Sequence, residues 1–103
     1  MPEHPNGRRS YEIHGSGVIA HAIREIQRRA EREGRGLRVL TALRVLKDRL
    51  QKDPNNVGEP LYRLASLRLQ VRTVVIGPLL VHFGVHETRP LVFIKGIKFL
   101  SES

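Results

Sequence analysis

The chain has 103 residues and a formal net charge of +8, with 18 Lys and Arg residues against 10 Asp and Glu residues. It contains no cysteine, which excludes disulfides and thiolate metal ligands, and no apolar run approaches the ~20 residues of a membrane-spanning helix. These properties predict one small cytoplasmic domain that needs no cofactor and has no membrane partner.

The basic excess favours an anionic partner, either nucleic acid or an acidic protein. Arginine outnumbers lysine, and its planar guanidinium group suits phosphate and carboxylate recognition better than a point charge does. The alternative is that the charge only reflects an Arg-rich proteome, because net charge bears on association rather than on fold.

The first half of the chain predicts a tail, a strand and two helices. Residues 1–9 have the polar, proline-containing composition of a flexible N-terminal tail. The stretch "SYEIHGSG" (10–17) predicts a short strand, and Ser16 is a candidate N-cap. Apolar residues at helical spacing predict helices over 18–33 and about 37–52, joined by the glycine turn "GRG" (34–36). Such a short turn predicts an antiparallel helical hairpin.

The second half predicts three strands after the helix stop "DPNNVGEP" (53–60). Alternating patterns cover 67–76 and 79–86 on either side of "GP" (77–78), and a more uniformly apolar strand covers 91–100. The expected fold class is therefore α+β, with the order β-α-α-β-β-β and a helical hairpin packed on one face of an antiparallel sheet. The single domain is expected to span residues 10–100, followed by a C-terminal tail at 101–103.

Two stretches, "DPNNVGEPLYRL" and "VHFGVHETRPLVFI", resemble the RelE/ParE superfamily of bacterial toxins. In that family a D-P-like stop ends the second helix and a "G-x-P-L" turn follows. The middle hairpin has the form hydrophobic–aromatic–x–V–x–E/D–x–x–x–V–x–V. The resemblance implies a toxin: RelE-type members are ribosome-dependent RNA endonucleases, and ParE-type members inhibit DNA gyrase. It also implies an acidic antitoxin-like partner. Leu80 stands where RelE-type members commonly have arginine.

Five residues form a candidate catalytic set on the predicted sheet. If the residue numbers of paired positions across the "GP" turn add up to an even number, Arg72 lies opposite His82 and Arg68 lies opposite His86. These four side chains then lie on the face away from the helices, where Lys98 could join them. Metal-free RNA cleavage needs a base, an acid and cations to stabilise the phosphorane, and this set supplies them. The alternative is an ordinary solvated strand face. No metal site is predicted, because His82 and His86 would lie about 13 Å apart along a strand.

A second basic group is the candidate nucleic-acid-binding set of Arg24, Arg28, Arg32, Arg35 and Arg63. Such arginines could contact phosphates in a salt-dependent manner, or form a solvated surface that is partly paired with neighbouring glutamates. The sequence leaves two functions open, besides a divergent, inactive member that keeps only the scaffold. One is a toxin that binds RNA or the ribosome, with metal-independent cleavage undecided. The other is a non-catalytic toxin-fold protein that acts on gyrase or binds a partner.

Overall fold

Two helices pack on one face of a five-stranded sheet in the computed structural model, which describes residues 10–100. The tails predicted at 1–9 and 101–103 lie outside the described residues. The predicted α+β class and β-α-α-β-β-β order are confirmed, with one further strand before the last three. The elements are β1 (Glu12–Gly15), α1 (Gly17–Arg32), α2 (Gly36–Lys52), β2 (Glu59–Leu64), β3 (Leu69–Ile76), β4 (Leu79–His86) and β5 (Leu91–Phe99).

The helix ends follow from local sequence signals. Ser16 caps α1 as predicted, because its Oγ accepts a hydrogen bond from the backbone N–H of Ile19 at 3.4 Å. Gly34 follows α1 with a φ of +73°, a left-handed conformation that glycine adopts without steric cost. Beyond α2, Pro54 begins a 3-10 turn that ends the second helix. Both predicted helices are therefore confirmed to within one residue at each end.

The sheet is mixed rather than antiparallel. Its strand order is β1-β5-β4-β3-β2, and β1 runs parallel to β5 while every other pair is antiparallel. The prediction of a purely antiparallel sheet is therefore wrong at one edge, where the strand that precedes the helices joins the last strand of the chain. β5 consequently lies inside the sheet, as its apolar sequence indicated.

The hydrophobic core forms between α2 and one face of the sheet, which we call the core face. Phe83, at the centre of β4, is fully buried, and it packs in one cluster with Leu46 and Leu50 of α2 and Val92 of β5. Partly buried Ile26 extends the cluster to α1. Because side chains alternate along a strand, the residues between these core positions point to the opposite side of the sheet. Within residues 10–100, neither helix is long and apolar enough to cross a membrane.

Candidate nucleic-acid interface

The register of the β3–β4 hairpin determines which side chains share a face. Gly77 and Pro78 form a two-residue loop, so Ile76 pairs with Leu79. The two residue numbers of every pair in this hairpin therefore add up to an odd number. Thr73 therefore lies opposite His82, and Leu69 lies opposite His86. The predicted pairs of Arg72 with His82 and of Arg68 with His86 are both wrong, because a shift of one residue moves a side chain to the other face.

Arg72 and Arg68 serve the fold and do not lie beside the histidines. Arg72 lies opposite Phe83 on the core-face side, where its guanidinium donates to the carbonyl oxygens of Val57 at 2.9 Å and Gly58 at 3.1 Å. It thereby ties the segment after α2 to the sheet. Arg68 precedes β3 and has a left-handed backbone with a φ of +55°. Neither arginine lies across a strand pair from His82 or His86.

The sheet side away from the helices, which we call the open face, brings together three members of the candidate catalytic set. His82 and His86 alternate with the core residues of β4, and Lys98 of β5 lies opposite Leu80 on the same side. Lys98 is the diagonal cross-strand neighbour of His82, which corresponds to about 7–8 Å between their Cα atoms. His82 is partly buried and Lys98 is exposed. The predicted grouping of these three residues on one face therefore stands.

His86 is held by the turn that follows β4. Its Nδ1 atom accepts hydrogen bonds from the backbone N–H groups of Thr88 at 3.2 Å and Arg89 at 3.1 Å, so this nitrogen carries no proton in the observed arrangement. The ring caps the turn and lies about 13 Å along the strand from His82. The two histidines therefore cannot act on one phosphate as a base and acid pair.

Thr73 and Glu59 are polar neighbours of His82 that the sequence analysis missed. Thr73 lies directly opposite His82, and Glu59 lies directly opposite Thr73 on β2, so the three form one row across the open face. The Oγ1 atom of Thr73 is buried and has no hydrogen-bond partner among residues 10–100. A buried hydroxyl without a partner is costly, and His82 is the residue that pairs with Thr73 across β3 and β4.

Aromatic side chains form the adjacent row of the open face. His14 of β1 pairs with Phe93 of β5, and their rings stack with centroids 5.5 Å apart. Across the sheet, Tyr62 of β2 pairs with Val71 and its side chain is about half exposed. The sequence placed His14 only near a sheet edge, because the partner of β1 is a strand that begins almost 80 residues later.

Arg63, a predicted phosphate-binding residue, is paired within the protein. Its guanidinium donates to both carboxylate oxygens of Glu87, with Nη2 at 2.9 Å from Oε1. The hydrogen bond from Arg63 lowers the pKa of Glu87 below its ordinary value, and the positive charges of Arg63 and Arg68 add to that effect. The pair therefore stabilises the fold at neutral pH, and this contribution is lost as the pH falls through the lowered pKa of Glu87.

The helical arginines divide into engaged and exposed groups. Arg28 donates to Glu25 at 2.6 Å, and Arg35 lies over the Phe99 ring at 4.7 Å and contacts Glu33 at 3.7 Å. Arg24 and Arg32 are exposed, and neither has an ion-pair partner among residues 10–100. Of the predicted phosphate-binding set, these two arginines retain guanidinium groups that a phosphate could approach without breaking an ion pair to a described residue.

The open face carries His14, His82 and His86 together with Lys98 and the carboxylates of Glu12 and Glu59. Among the described residues, no group of three or more His, Asp or Glu side chains could hold a metal ion. No family model, curated protein or solved structure matches the chain. The function must therefore be argued from the side chains of the open face and from the sequence resemblance.

Proposed function

We propose that this protein is a RelE/ParE-like toxin that binds RNA on the open face of its sheet and cleaves it without a metal. The observation that supports this most is the diagonal pair of His82 and Lys98 on a sheet face that neither helix covers. A neutral imidazole and an ammonium group at this separation can contact one phosphodiester and its neighbouring ribose. The net charge of +8 favours the anionic substrate.

The proposed reaction uses His82 as the general base and Lys98 as the cation. The imidazole of His82 takes the proton from a ribose 2′-hydroxyl, and the 2′-oxygen attacks the adjacent phosphorus. The P–O5′ bond breaks and a 2′,3′-cyclic phosphate forms. The ammonium of Lys98 stabilises the charged phosphorane and gives a proton to the leaving 5′-oxygen.

Arg24 and Arg32 add a second phosphate-binding surface on α1. Because α1 packs on the core face, these arginines lie on the other side of the sheet from His82 and would reach a different segment of a large RNA. The ribosome offers such a substrate, with phosphates available on more than one side of a small bound protein. Binding through these residues would weaken as salt increases.

Inducible expression in a bacterium tests the proposed function. We expect the wild-type chain to arrest growth and to fragment messenger RNA, because cleavage of translated transcripts stops protein synthesis. Growth curves and the integrity of several abundant transcripts are the measurements. Normal growth with intact transcripts would contradict the proposal, provided that the protein is visible in the soluble fraction.

A non-catalytic partner-binding protein is the second candidate, and one groove favours it. The groove, of about 780 Å³, lies between α2 and the β3–β4 turn. Leu37, Val45 and Pro78 line it, and Arg38 lies at its rim. Leu37 and Leu100, which both line the groove, are 76% and 39% exposed, and such an apolar patch fits a surface that a partner covers. An acidic amphipathic helix, such as an antitoxin-like protein would supply, matches this combination of apolar lining and positive rim.

The expression experiment separates the two candidates when His82→Ala is included. Loss of toxicity in this variant supports the nuclease. Growth arrest that persists in His82→Ala, with intact transcripts, supports the non-catalytic candidate and a target such as DNA gyrase.

A further inference from the structure

His14 and Phe93 form a stacked pair of rings on the open face. The parallel pairing of β1 with β5 places the two residues side by side, and their ring planes differ by 27°. Phe93 lies outside the buried core cluster. The side chain of His14 is 50% exposed. One surface of this ring pair is therefore available to a flat ligand.

The His14 ring is oriented as well as exposed. Its Nε2 atom lies 3.1 Å from Oε1 of Glu12, two residues earlier on the same side of β1. A ring held by both a hydrogen bond and an aromatic neighbour loses less rotational freedom when a ligand stacks on it. The pair is consequently better prepared for stacking than an isolated surface histidine.

The position of the pair relative to His82 suggests which ligand would stack there. Phe93 lies opposite Gly84, which is two residues from His82 along β4. Phe93 and His82 are therefore neighbours on adjacent strands, with the bulge at Lys95 between their pairing partners. A base on the rings and a phosphate at His82 could thus belong to adjacent nucleotides.

Charged side chains of both signs surround the ring pair: Glu12 contacts His14, and two lysines of β5 offer ammonium groups to a phosphate. Lys98 lies on the open face, and Lys95 is the extra residue of a bulge in β5 next to Gly96. Both lysines are exposed. Aromatic rings stack on any base, but only where the base is unpaired, because bases in an A-form duplex are covered by their neighbours.

We infer that the stacked rings of His14 and Phe93 bind an unpaired base next to the phosphate at His82. Single-stranded RNA is then the substrate of the open face. The inference rests on the proposed RNA-binding function and specifies its substrate class. The site accepts a purine or a pyrimidine, since no described side chain is placed to read a particular base edge.

Binding measurements with two anionic probes test this inference. The probes are a labelled single-stranded RNA oligonucleotide and inorganic polyphosphate, which carries similar charge but has no bases. We expect Phe93→Leu and His14→Ala each to weaken RNA binding by about 10-fold and to leave polyphosphate binding unchanged. His21→Ala, which removes an exposed histidine of α1, is the matched control and should bind both probes like the wild type.

The possible outcomes separate the inference from the proposed function. If the wild type binds RNA and both variants bind it equally well, the stacking site is wrong while RNA binding stands. An equal loss for polyphosphate also overturns the stacking site, because bases would not be involved. If the wild type binds no RNA, the proposed function fails and the inference fails with it. Thermal unfolding of each variant shows that the comparison is made on folded protein.

Discussion

We expect His82→Ala to lower the rate of RNA cleavage by about 10²–10⁴-fold, which is the usual effect of removing a general base. The side chain is only partly buried and lies outside the core cluster, so the variant should fold. Its loss removes the group that accepts the 2′-hydroxyl proton but leaves Lys98 in place. The measurement is single-turnover cleavage of a labelled RNA, on ribosomes as well as free, with excess protein.

His86→Ala is the matched control for this prediction. It removes a histidine from the same strand and face, but one whose Nδ1 atom caps the following turn. We expect its cleavage rate to fall by less than about 10-fold, because the base is retained. Equal cleavage by the wild type and His82→Ala would contradict the assignment of the base. A large loss of cleavage in His86→Ala but not in His82→Ala would indicate that the catalytic centre lies at the other end of β4.

Gly58→Ala should lower the free energy of unfolding by about 2–4 kcal/mol. Gly58 has a φ of +66°, which strains any residue with a Cβ atom. An added Cβ would also lie 2.0 Å from the carbonyl oxygen of Thr73 and 2.8 Å from Cβ of Val74. Because these atoms belong to β3, the clash can be relieved only by moving β2 away from the sheet. Urea denaturation followed by circular dichroism measures the loss.

Gly34→Ala isolates the contribution of the clash. Gly34 has a similar φ of +73°, but an added Cβ would have no heavy atom within 4 Å. This control carries only the backbone strain, about 1 kcal/mol. If the two variants lose the same stability, the close approach of Gly58 to β3 is wrong, and with it the position of Glu59 beside Thr73. A larger loss for Gly58→Ala supports the β2–β3 pairing.

The helices and the core could be predicted because their signals are local. Ser16 and Gly34 mark the ends of α1 through capping and backbone conformation, which depend only on neighbouring residues. The alternation around Phe83 likewise identified β4 and its buried side. β2 was missed because it contains Pro60 and an irregular register before Tyr62, both of which obscure a strand pattern.

The candidate site was predicted only in part, because it depends on register and on long-range pairing. His82 and His86 were placed on one face correctly, since alternation within β4 is sufficient for that, and Lys98 joins them through the β4–β5 register. Arg72 was misplaced because an even register sum was assumed across "GP", whereas a two-residue loop requires an odd sum. The two-residue length of the loop is sufficient to place Arg72 on the core-face side.

The pairing of His14 with Phe93 could not be derived from the sequence in the same way. No local pattern indicates which strand a four-residue edge strand will pair with, or whether that pairing is parallel or antiparallel. The same holds for Arg63, whose ion pair with Glu87 joins two strands that are separated by β3. Such contacts depend on the completed sheet, and they decide which basic groups are available to a ligand.

The chemical-shift footprint of single-stranded RNA on the folded protein tests the central claim most directly. On titration of an isotopically labelled sample, we expect the backbone and ring signals of His14, His82 and Phe93 to shift together, along with the backbone signal of Lys98. Signals of the groove residues Leu37 and Val45 should not move. Shifts confined to α1 and α2, or no shifts at all, would contradict RNA binding by the open face.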